Sequence, residues 1–125
     1  MSHLVLIAED EPNILESLRF LLEHAGLRIA TANDGAQAIR SIHELRPALV
    51  VLDITMQHHS GFEVLKRVRA DPELSATKVL ILTAKGQEAD RRTSSDLGAD
   101  SFINKPFSNK ELVAEVHQLL DLTDP

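Results

Sequence analysis

The chain has no cysteine, no tryptophan and no tyrosine, and four phenylalanines are its whole content of Phe, Trp and Tyr. Without cysteine it can form no disulfide bond and offers no thiolate as a metal ligand or nucleophile, and nothing in the composition indicates an oxidising compartment. Thiol and disulfide chemistry is therefore excluded. Without tryptophan or tyrosine, ligand binding has to be followed by calorimetry or NMR rather than by intrinsic tryptophan fluorescence.

Long apolar runs and an excess of basic residues are missing as well. No run approaches the length needed to span a bilayer, and the first residues, Met-Ser-His-Leu, lack the basic and apolar regions of a signal peptide. The 19 acidic and 13 basic residues give a net charge of −6, which repels nucleic acid and anionic membranes. We therefore expect a cytoplasmic protein that binds neither membrane nor nucleic acid directly.

Five short apolar runs alternate with stretches whose apolar residues recur at helical spacing. The runs have the length of strands buried on both faces and cover residues 4–8, 27–32, 48–52, 79–82 and 100–103. Helices are predicted over residues 12–25, 35–45, 61–69 and 109–120. The stretch 87–97 is nearly all polar and would form a poorly anchored helix. This alternation implies an α/β fold in one domain over residues 1–125, with a parallel sheet covered on both faces and right-handed crossovers.

Polar side chains stand where four of the apolar runs end: Glu9 and Asp10, Asp53, Thr83, and Lys105. The carboxyl ends of parallel strands converge on one crevice, so these residues should meet there. Three carboxylates that close together either acquire raised pKa values or need a cation. Oxygen ligands without His or Cys favour Mg²⁺. Taken alone, the first two acids fit a metal site and solvated loop residues equally well.

Asp53 directly follows the apolar run 48–52, at the edge of the predicted sheet. A carboxylate held there can act as a nucleophile and form an acyl phosphate. Phosphoryl transfer depends mostly on positioning and on neutralising the charge of the phosphoryl oxygens. Thr83 can donate a hydrogen bond to one such oxygen, and Lys105 can pair with another. Separately, a helix cap and a surface lysine would explain these two residues. Their joint placement at strand ends favours a shared functional site.

In this order and spacing the residues resemble the motif set of response-regulator receiver domains of two-component signalling, such as chemotaxis regulators. The matching residues are Glu9-Asp10, Leu52-Asp53, Leu82-Thr83-Ala84 and Lys105-Pro106-Phe107, with Gly61 and Gly98-Ala99-Asp100 also in their usual places. The resemblance covers essentially the whole chain. It implies a doubly wound, flavodoxin-like (βα)5 fold whose five-stranded parallel sheet has the strand order 2-1-3-4-5.

The resemblance also implies a role for each site residue. Asp53 would accept phosphate from the phosphohistidine of a sensor histidine kinase or phosphotransfer protein. Mg²⁺ would bind directly to Asp10, to Asp53 and to the backbone carbonyl of Thr55, and through water to Glu9. Thr83 would sense the phosphoryl group, and Lys105 would form an ion pair with it. The bond between Lys105 and Pro106 is expected to be cis.

The expected outcome of phosphorylation is a conformational switch. Thr83 would move toward the phosphoryl group, and Phe102 would turn into the space behind it. The surface formed by the stretch 87–97, the fifth strand and the last helix would then change, and a downstream protein or a covalently linked output domain would read it. The sequence leaves open whether the receiver stands alone or belongs to a longer protein.

The sequence departs from the family pattern in the loop after Asp53. The family usually has proline there, whereas this chain has Gln-His-His-Ser over residues 57–60. The first acid is Glu9, where aspartate is commoner. Adjacent histidines such as His58 and His59 in a polar loop are usually solvated, and we assign them no role.

Three other functions fit the sequence less well than a receiver. An aspartyl-nucleophile phosphatase of haloacid-dehalogenase type needs a second aspartate two positions after the nucleophile, where this chain has Thr55. A flavodoxin-like carrier needs a hydroxyl- and glycine-rich phosphate loop, and Glu9-Asp10-Glu11 has the wrong charge for one. A phosphate-independent pseudo-receiver is disfavoured because every acceptor, acid, hydroxyl and lysine position is filled. We therefore expect a signalling phospho-acceptor rather than an enzyme, with only self-catalysed phosphotransfer and dephosphorylation.

Overall fold

Strands and helices alternate along the chain. The computed structural model describes residues 3–54, 56, 60–74, 76–84, 92–93 and 95–120. The strands are β1 (Leu4–Ala8), β2 (Arg28–Ala32), β3 (Leu49–Asp53), β4 (Lys78–Ala84) and β5 (Ser101–Lys105). The helices are α1 (Pro12–His24), α2 (Gly35–Leu45), α3 (Gly61–Ala70) and α4 (Asn109–Leu119), and a short 3₁₀ turn covers Pro72–Leu74.

All five strands pair in parallel in the order β2-β1-β3-β4-β5, which confirms the predicted fold class and strand order. Successive side chains of a strand point to opposite faces, and each face carries its own apolar cluster. Helices α2 and α3 cover the face that includes Leu6, Val50 and Ile81. Helices α1 and α4 cover the face that includes Val5, Val51 and Leu80. Every residue of β3 is buried, as a central strand between two layers requires.

Each of these four helices follows a capping residue whose side chain accepts a hydrogen bond from a backbone N–H of the first helical turn. These capping residues are Glu11, Asp34, Ser60 and Ser108. A cap of this kind contributes about 1 kcal/mol because it satisfies an N–H group that has no partner within the helix. Within the described part of the chain, the helices are too short or too polar to cross a membrane.

The structure extends the last two strands beyond the predicted bounds. Strand β4 runs two residues past its predicted end at position 82, and β5 runs two residues past position 103. Thr83 therefore lies within β4 instead of following it, and Asp53 is the last residue of β3. Of the polar stretch 87–97, the described residues at positions 92, 93, 95 and 96 are helical.

Candidate functional site

Three carboxyl groups lie together at the carboxyl edge of the sheet. Strands β1 and β3 pair in parallel with Ala8 opposite Leu52, so the next residues, Glu9 and Asp53, come side by side. One ligand oxygen from each of Glu9, Asp10 and Asp53 lies within 4.8 Å of the others. Glu9 is 1% exposed and Asp53 is 4% exposed, so two of the three acids have almost no access to water. The acid cluster is where the sequence places it.

Lys105 supplies the positive charge beside this cluster. Its Nζ atom lies 3.1 Å from Asp53 Oδ2 and 3.5 Å from Glu9 Oε1. Burial lowers the pKa of Lys105, but the Asp53 carboxylate, and after it Glu9, outweigh that effect and leave the pKa raised. Lys105 is therefore protonated at neutral pH. The peptide bond that joins it to Pro106 is cis.

Glu9 is the electrostatically costly member of the cluster. Its pKa is raised to about 7, mainly by burial, and Asp53 contributes by accepting a hydrogen bond from protonated Glu9 and through its charge. Lys105 and the backbone N–H of Glu11 oppose this rise, the latter by donating to Glu9 Oε2 at 3.2 Å. The other oxygen, Oε1, is buried and has no hydrogen-bond partner in the part of the chain that the structure describes. A buried carboxylate oxygen that has an ion pair with Lys105 at 3.5 Å but no hydrogen bond is suited to a cation or its bound water.

The donor set fits a hard divalent cation. Among the described residues, three carboxylates face one ammonium group, so negative charge is in excess when all of these carboxylates are ionised. Oxygen ligands with no thiolate or imidazole are those that Mg²⁺ prefers. Glu9, Asp10 and Asp53 can therefore hold Mg²⁺. The fourth predicted ligand, the backbone carbonyl of Thr55, lies outside the described residues, as do His58 and His59.

The backbone at Gly61 lies against the backbone at Asp53 and Ile54. The N–H of Gly61 donates to the carbonyl of Ile54 at 2.8 Å. A Cβ atom added at Gly61 would lie 2.6 Å from the Asp53 carbonyl oxygen and 2.7 Å from Ile54 Cα, closer than real Cβ contacts allow. The sequence marks Gly61 as part of the motif set but does not reveal this contact. Glycine is required here because backbone packs on backbone beside Asp53.

Thr83 lies on β4 next to the cluster, and its hydroxyl contacts β5. Thr83 is 2% exposed, and its Oγ1 donates to Asn104 Oδ1 at 2.7 Å. The two residues are direct partners in the β4–β5 ladder. Phe102 lies two residues before Asn104 on β5; it is partly buried and packs against the apolar core cluster that contains Ile81. Asn104 was not predicted as a site residue. Its signal in the sequence is its position directly before Lys105. The parallel register of β4 and β5 brings Asn104 opposite Thr83.

Comparison with known sequences agrees with this geometry. The chain matches the family model described as the response regulator receiver domain over residues 5–117. It is 41% identical over 120 residues to the response regulator GtcR of Aneurinibacillus migulanus, an alignment that covers 96% of this chain and 48% of GtcR. It is 35% identical over 125 residues to the phosphate regulon transcriptional regulatory protein PhoB of Escherichia coli, covering 100% of this chain and 55% of PhoB. The chain thus spans about half the length of the curated relatives it matches.

The fold has the same counterpart among solved structures. A putative response regulator from Chloroflexus aurantiacus superposes with a TM-score of 0.93 at 30% sequence identity, covering 97% of this chain and 99% of that one. The family match, the relatives and the superposed structure all span nearly the whole chain and all point to one kind of domain. The chain belongs to the family of response regulator receiver domains.

Proposed function

We propose that residues 1–125 form one receiver domain that accepts a phosphoryl group on Asp53. The observation that carries the proposal is the buried Asp53 carboxylate, which lies between two other acids and a lysine ammonium 3.1 Å away. A carboxylate at the end of a rigid central strand is held in place, and the charges around it are those that a phosphoryl group needs. The donor is the phosphohistidine of a sensor histidine kinase or phosphotransfer protein.

In the proposed reaction a carboxylate oxygen of Asp53 attacks the phosphorus atom of the donor. A new P–O bond forms and the P–N bond breaks, its electron pair leaving with the donor histidine, which departs as neutral imidazole because its other ring nitrogen carries a proton. The negative charge stays on the phosphoryl oxygens. Lys105 is placed to transfer its ion pair from the Asp53 carboxylate to one of these oxygens, because its Nζ atom already lies beside Asp53 Oδ2. The reaction therefore needs no large rearrangement of the lysine.

The same proposal includes a magnesium requirement. Asp10, Asp53 and the backbone carbonyl of Thr55 would hold Mg²⁺ directly, and Glu9 would hold it through water. When bound, Mg²⁺ would supply positive charge to the phosphoryl oxygens, which the carboxylates of Glu9 and Asp10 would otherwise repel. The observation that supports this assignment is the buried Glu9 oxygen with no hydrogen-bond partner among the described residues.

The proposed output is a surface change that starts at Thr83. Its hydroxyl moves to the phosphoryl group, and Phe102 turns into the space behind it. The partner that reads the change is a downstream protein or a covalently linked output domain. The length and name of PhoB, a transcriptional regulatory protein, support a linked output, whereas the charge of −6 argues against nucleic-acid binding by this domain itself. A cytoplasmic location remains a prediction from the sequence.

The rival functions lose support at this point. The family match argues against an aspartyl phosphatase of haloacid-dehalogenase type, because that activity belongs to a different family. The filled acceptor, acid, hydroxyl and lysine positions argue against a phosphate-independent pseudo-receiver. The proposed chemistry is a stoichiometric phosphorylation of the domain and its self-catalysed reversal, and no separate substrate is turned over.

Incubation with acetyl phosphate and Mg²⁺, followed by intact-mass spectrometry, tests the acceptor. We expect the wild type to gain one phosphoryl group and Asp53→Asn to gain none, because an amide oxygen is a poor nucleophile. Asp96→Asn is the matched control, since Asp96 is an exposed aspartate on the helical stretch before β5 and should leave labelling unchanged. Labelling of Asp53→Asn at the wild-type rate would show that Asp53 is not the acceptor.

A further inference from the structure

The hydroxyl of Thr83 has a partner before any phosphoryl group arrives. It donates to the side-chain carbonyl of Asn104 at 2.7 Å, a short hydrogen bond in a site where Thr83 is 2% exposed. A threonine hydroxyl has a single hydrogen and can donate one hydrogen bond at a time. Thr83 therefore cannot donate to a phosphoryl oxygen on Asp53 while it donates to Asn104.

We propose that Asn104 is a positioning residue that competes with the phosphoryl group for the Thr83 hydroxyl. This inference rests on the proposed function, in which Asp53 receives the phosphoryl group. Asn104 holds Thr83 toward β5 in the unphosphorylated state, and phosphorylation has to break that bond before Thr83 can turn. The competition lowers the affinity of the domain for a phosphoryl group and keeps the unphosphorylated domain in its resting state.

The position of Asn104 on β5 connects this bond to the proposed switch residue. Phe102 and Asn104 are two residues apart on one strand, so their side chains share a face of the sheet. Their partners in the β4 ladder are Ile81 and Thr83. When Thr83 turns away, the amide of Asn104 loses its partner on the same face as the Phe102 ring. Both events of the switch therefore take place at adjacent positions of one ladder.

A hydrogen bond of this kind has a modest net value, because each state exchanges one partner for another. Its loss changes an equilibrium constant by about 2- to 12-fold, with about fivefold as the central expectation. The expected effect is therefore a shift in ligand affinity rather than loss of function. Such a shift separates a positioning residue from a ligand of the phosphoryl group.

Isothermal calorimetry with beryllofluoride, a phosphoryl mimic, in saturating Mg²⁺ measures this shift. We expect Asn104→Leu, which keeps the size but removes the acceptor, to lower the Kd for beryllofluoride about fivefold. In a Thr83→Val background, which has no hydroxyl to compete for, the same substitution should leave the Kd unchanged. Ser101→Ala is the matched control: Ser101 lies on the same strand and also donates at 2.7 Å, but to Glu115 on α4.

Equal Kd values for the wild type and Asn104→Leu overturn the proposal, and so does an equal decrease in the Thr83→Val background. If Asn104→Leu does not fold, Asn104→Ala removes the same acceptor without added volume and is held to the same result. Chemical shifts of the Phe102 ring without beryllofluoride should move toward the bound position in either variant. Binding by Asp53→Asn with wild-type affinity overturns the proposed function instead, so the two failures are distinguishable.

Discussion

Glu9 is a carboxyl group without access to water, and the free energy of its burial depends on pH. In the folded state its pKa is raised from 4.5 to about 7 by burial, with Asp53 contributing. Below pH 4.5 Glu9 is protonated in both the folded and the unfolded chain, and it has no effect. As the pH rises to 7 the unfolded chain releases its proton first, so the folded state loses stability. Above pH 7 the full penalty of about 3 kcal/mol is present when no metal is bound.

Replacing Glu9 by glutamine should remove this penalty. We expect Glu9→Gln, in EDTA, to match the wild type near pH 4.5 and to be up to about 3 kcal/mol more stable at pH 8. Urea unfolding across this pH range measures the difference. Glu44→Gln is the control, because Glu44 is exposed on α2 and should give parallel curves. A constant difference between Glu9→Gln and the wild type at every pH would contradict the assignment.

Gly61 is the second residue whose environment sets a specific expectation. In Gly61→Ala the new Cβ would meet the Asp53 carbonyl at 2.6 Å, so the backbone at the acceptor has to shift. We expect a loss of about 1–3 kcal/mol in stability and slower labelling by acetyl phosphate. Gly26→Ala is a matched control, because φ at Gly26 is +95° and the substitution is strained, but no atom lies within 4 Å of its Cβ. It should lose stability and keep the wild-type labelling rate. If both variants were labelled equally slowly, the contact with Asp53 would not be the cause of the slower labelling.

Which site residues the sequence could reveal depends on how local their signal is. Asp53 and Lys105 follow directly from polar residues that end apolar runs, because parallel strands place those ends together. Asn104 is a polar residue beside Lys105 with no pattern of its own, and only the register of β4 and β5 shows its partner. The contact of Gly61 with Asp53 depends on the path of the intervening loop. Such contacts are set by tertiary packing, and a single sequence gives no period from which to infer them.

At the scale of elements, the predicted strands were too short where polar residues share the ladder. The apolar run of β4 ends at Leu82, but its pairing with β5 continues through Thr83 and Ala84. Hydrophobic patterning detects burial, and backbone pairing does not stop at the first hydroxyl. The number and order of the elements were predictable because the buried strands are short continuous apolar runs, whereas the helices have apolar residues at helical spacing.

Arg69 joins α3 to the segment that enters β5. Its guanidinium donates to the carbonyls of Gly98 and Thr77, both at 2.8 Å, and to Asp100 Oδ2 at 2.6 Å. The same Asp100 oxygen accepts from the N–H of Val79 at 2.8 Å, at the beginning of β4. One side chain thus holds three elements at the end of the sheet opposite the acids. The side chains of Arg69 and Asp100 are 23% and 28% exposed, so solvent screens this ion pair less than one on the open surface.

Loss of this contact should destabilise the fold. We expect Arg69→Met, which keeps the aliphatic stem, to lower the free energy of unfolding by about 2–3 kcal/mol, because Asp100 is left without its charged partner. Arg46→Met is the matched control: the Arg46–Glu73 pair is 3.0 Å long but 54% and 68% exposed, and its loss should change stability by no more than about 0.5 kcal/mol. Urea unfolding compares the two variants. Equal losses would show that burial does not distinguish these ion pairs.

For the whole molecule, the sheet separates stability from chemistry. The central strands are buried between two helical layers and supply the apolar core, whereas the acids, the threonine and the lysine lie at or near the carboxyl edge. A substitution at the edge can therefore change the charge of the site without opening the core. The electrostatic free energy of the site should still be visible in global unfolding, because Glu9 and Asp53 lose their buried surroundings only when the sheet comes apart.

Mg²⁺ should stabilise the folded molecule by binding this site, because the unfolded chain does not hold the three acids together. At a free concentration of 100 times the Kd, the expected gain is about 2.7 kcal/mol. Thermal unfolding with Mg²⁺ and with EDTA measures it. Asp10→Asn should lose most of the gain, and Asp96→Asn should keep it, since Asp96 is exposed and is not part of the acid cluster.

The net charge of −6 means that any salt screens repulsion within the chain, so NaCl at matched ionic strength is the necessary reference. An equal gain in NaCl would mean that screening, rather than a bound cation, stabilises the fold.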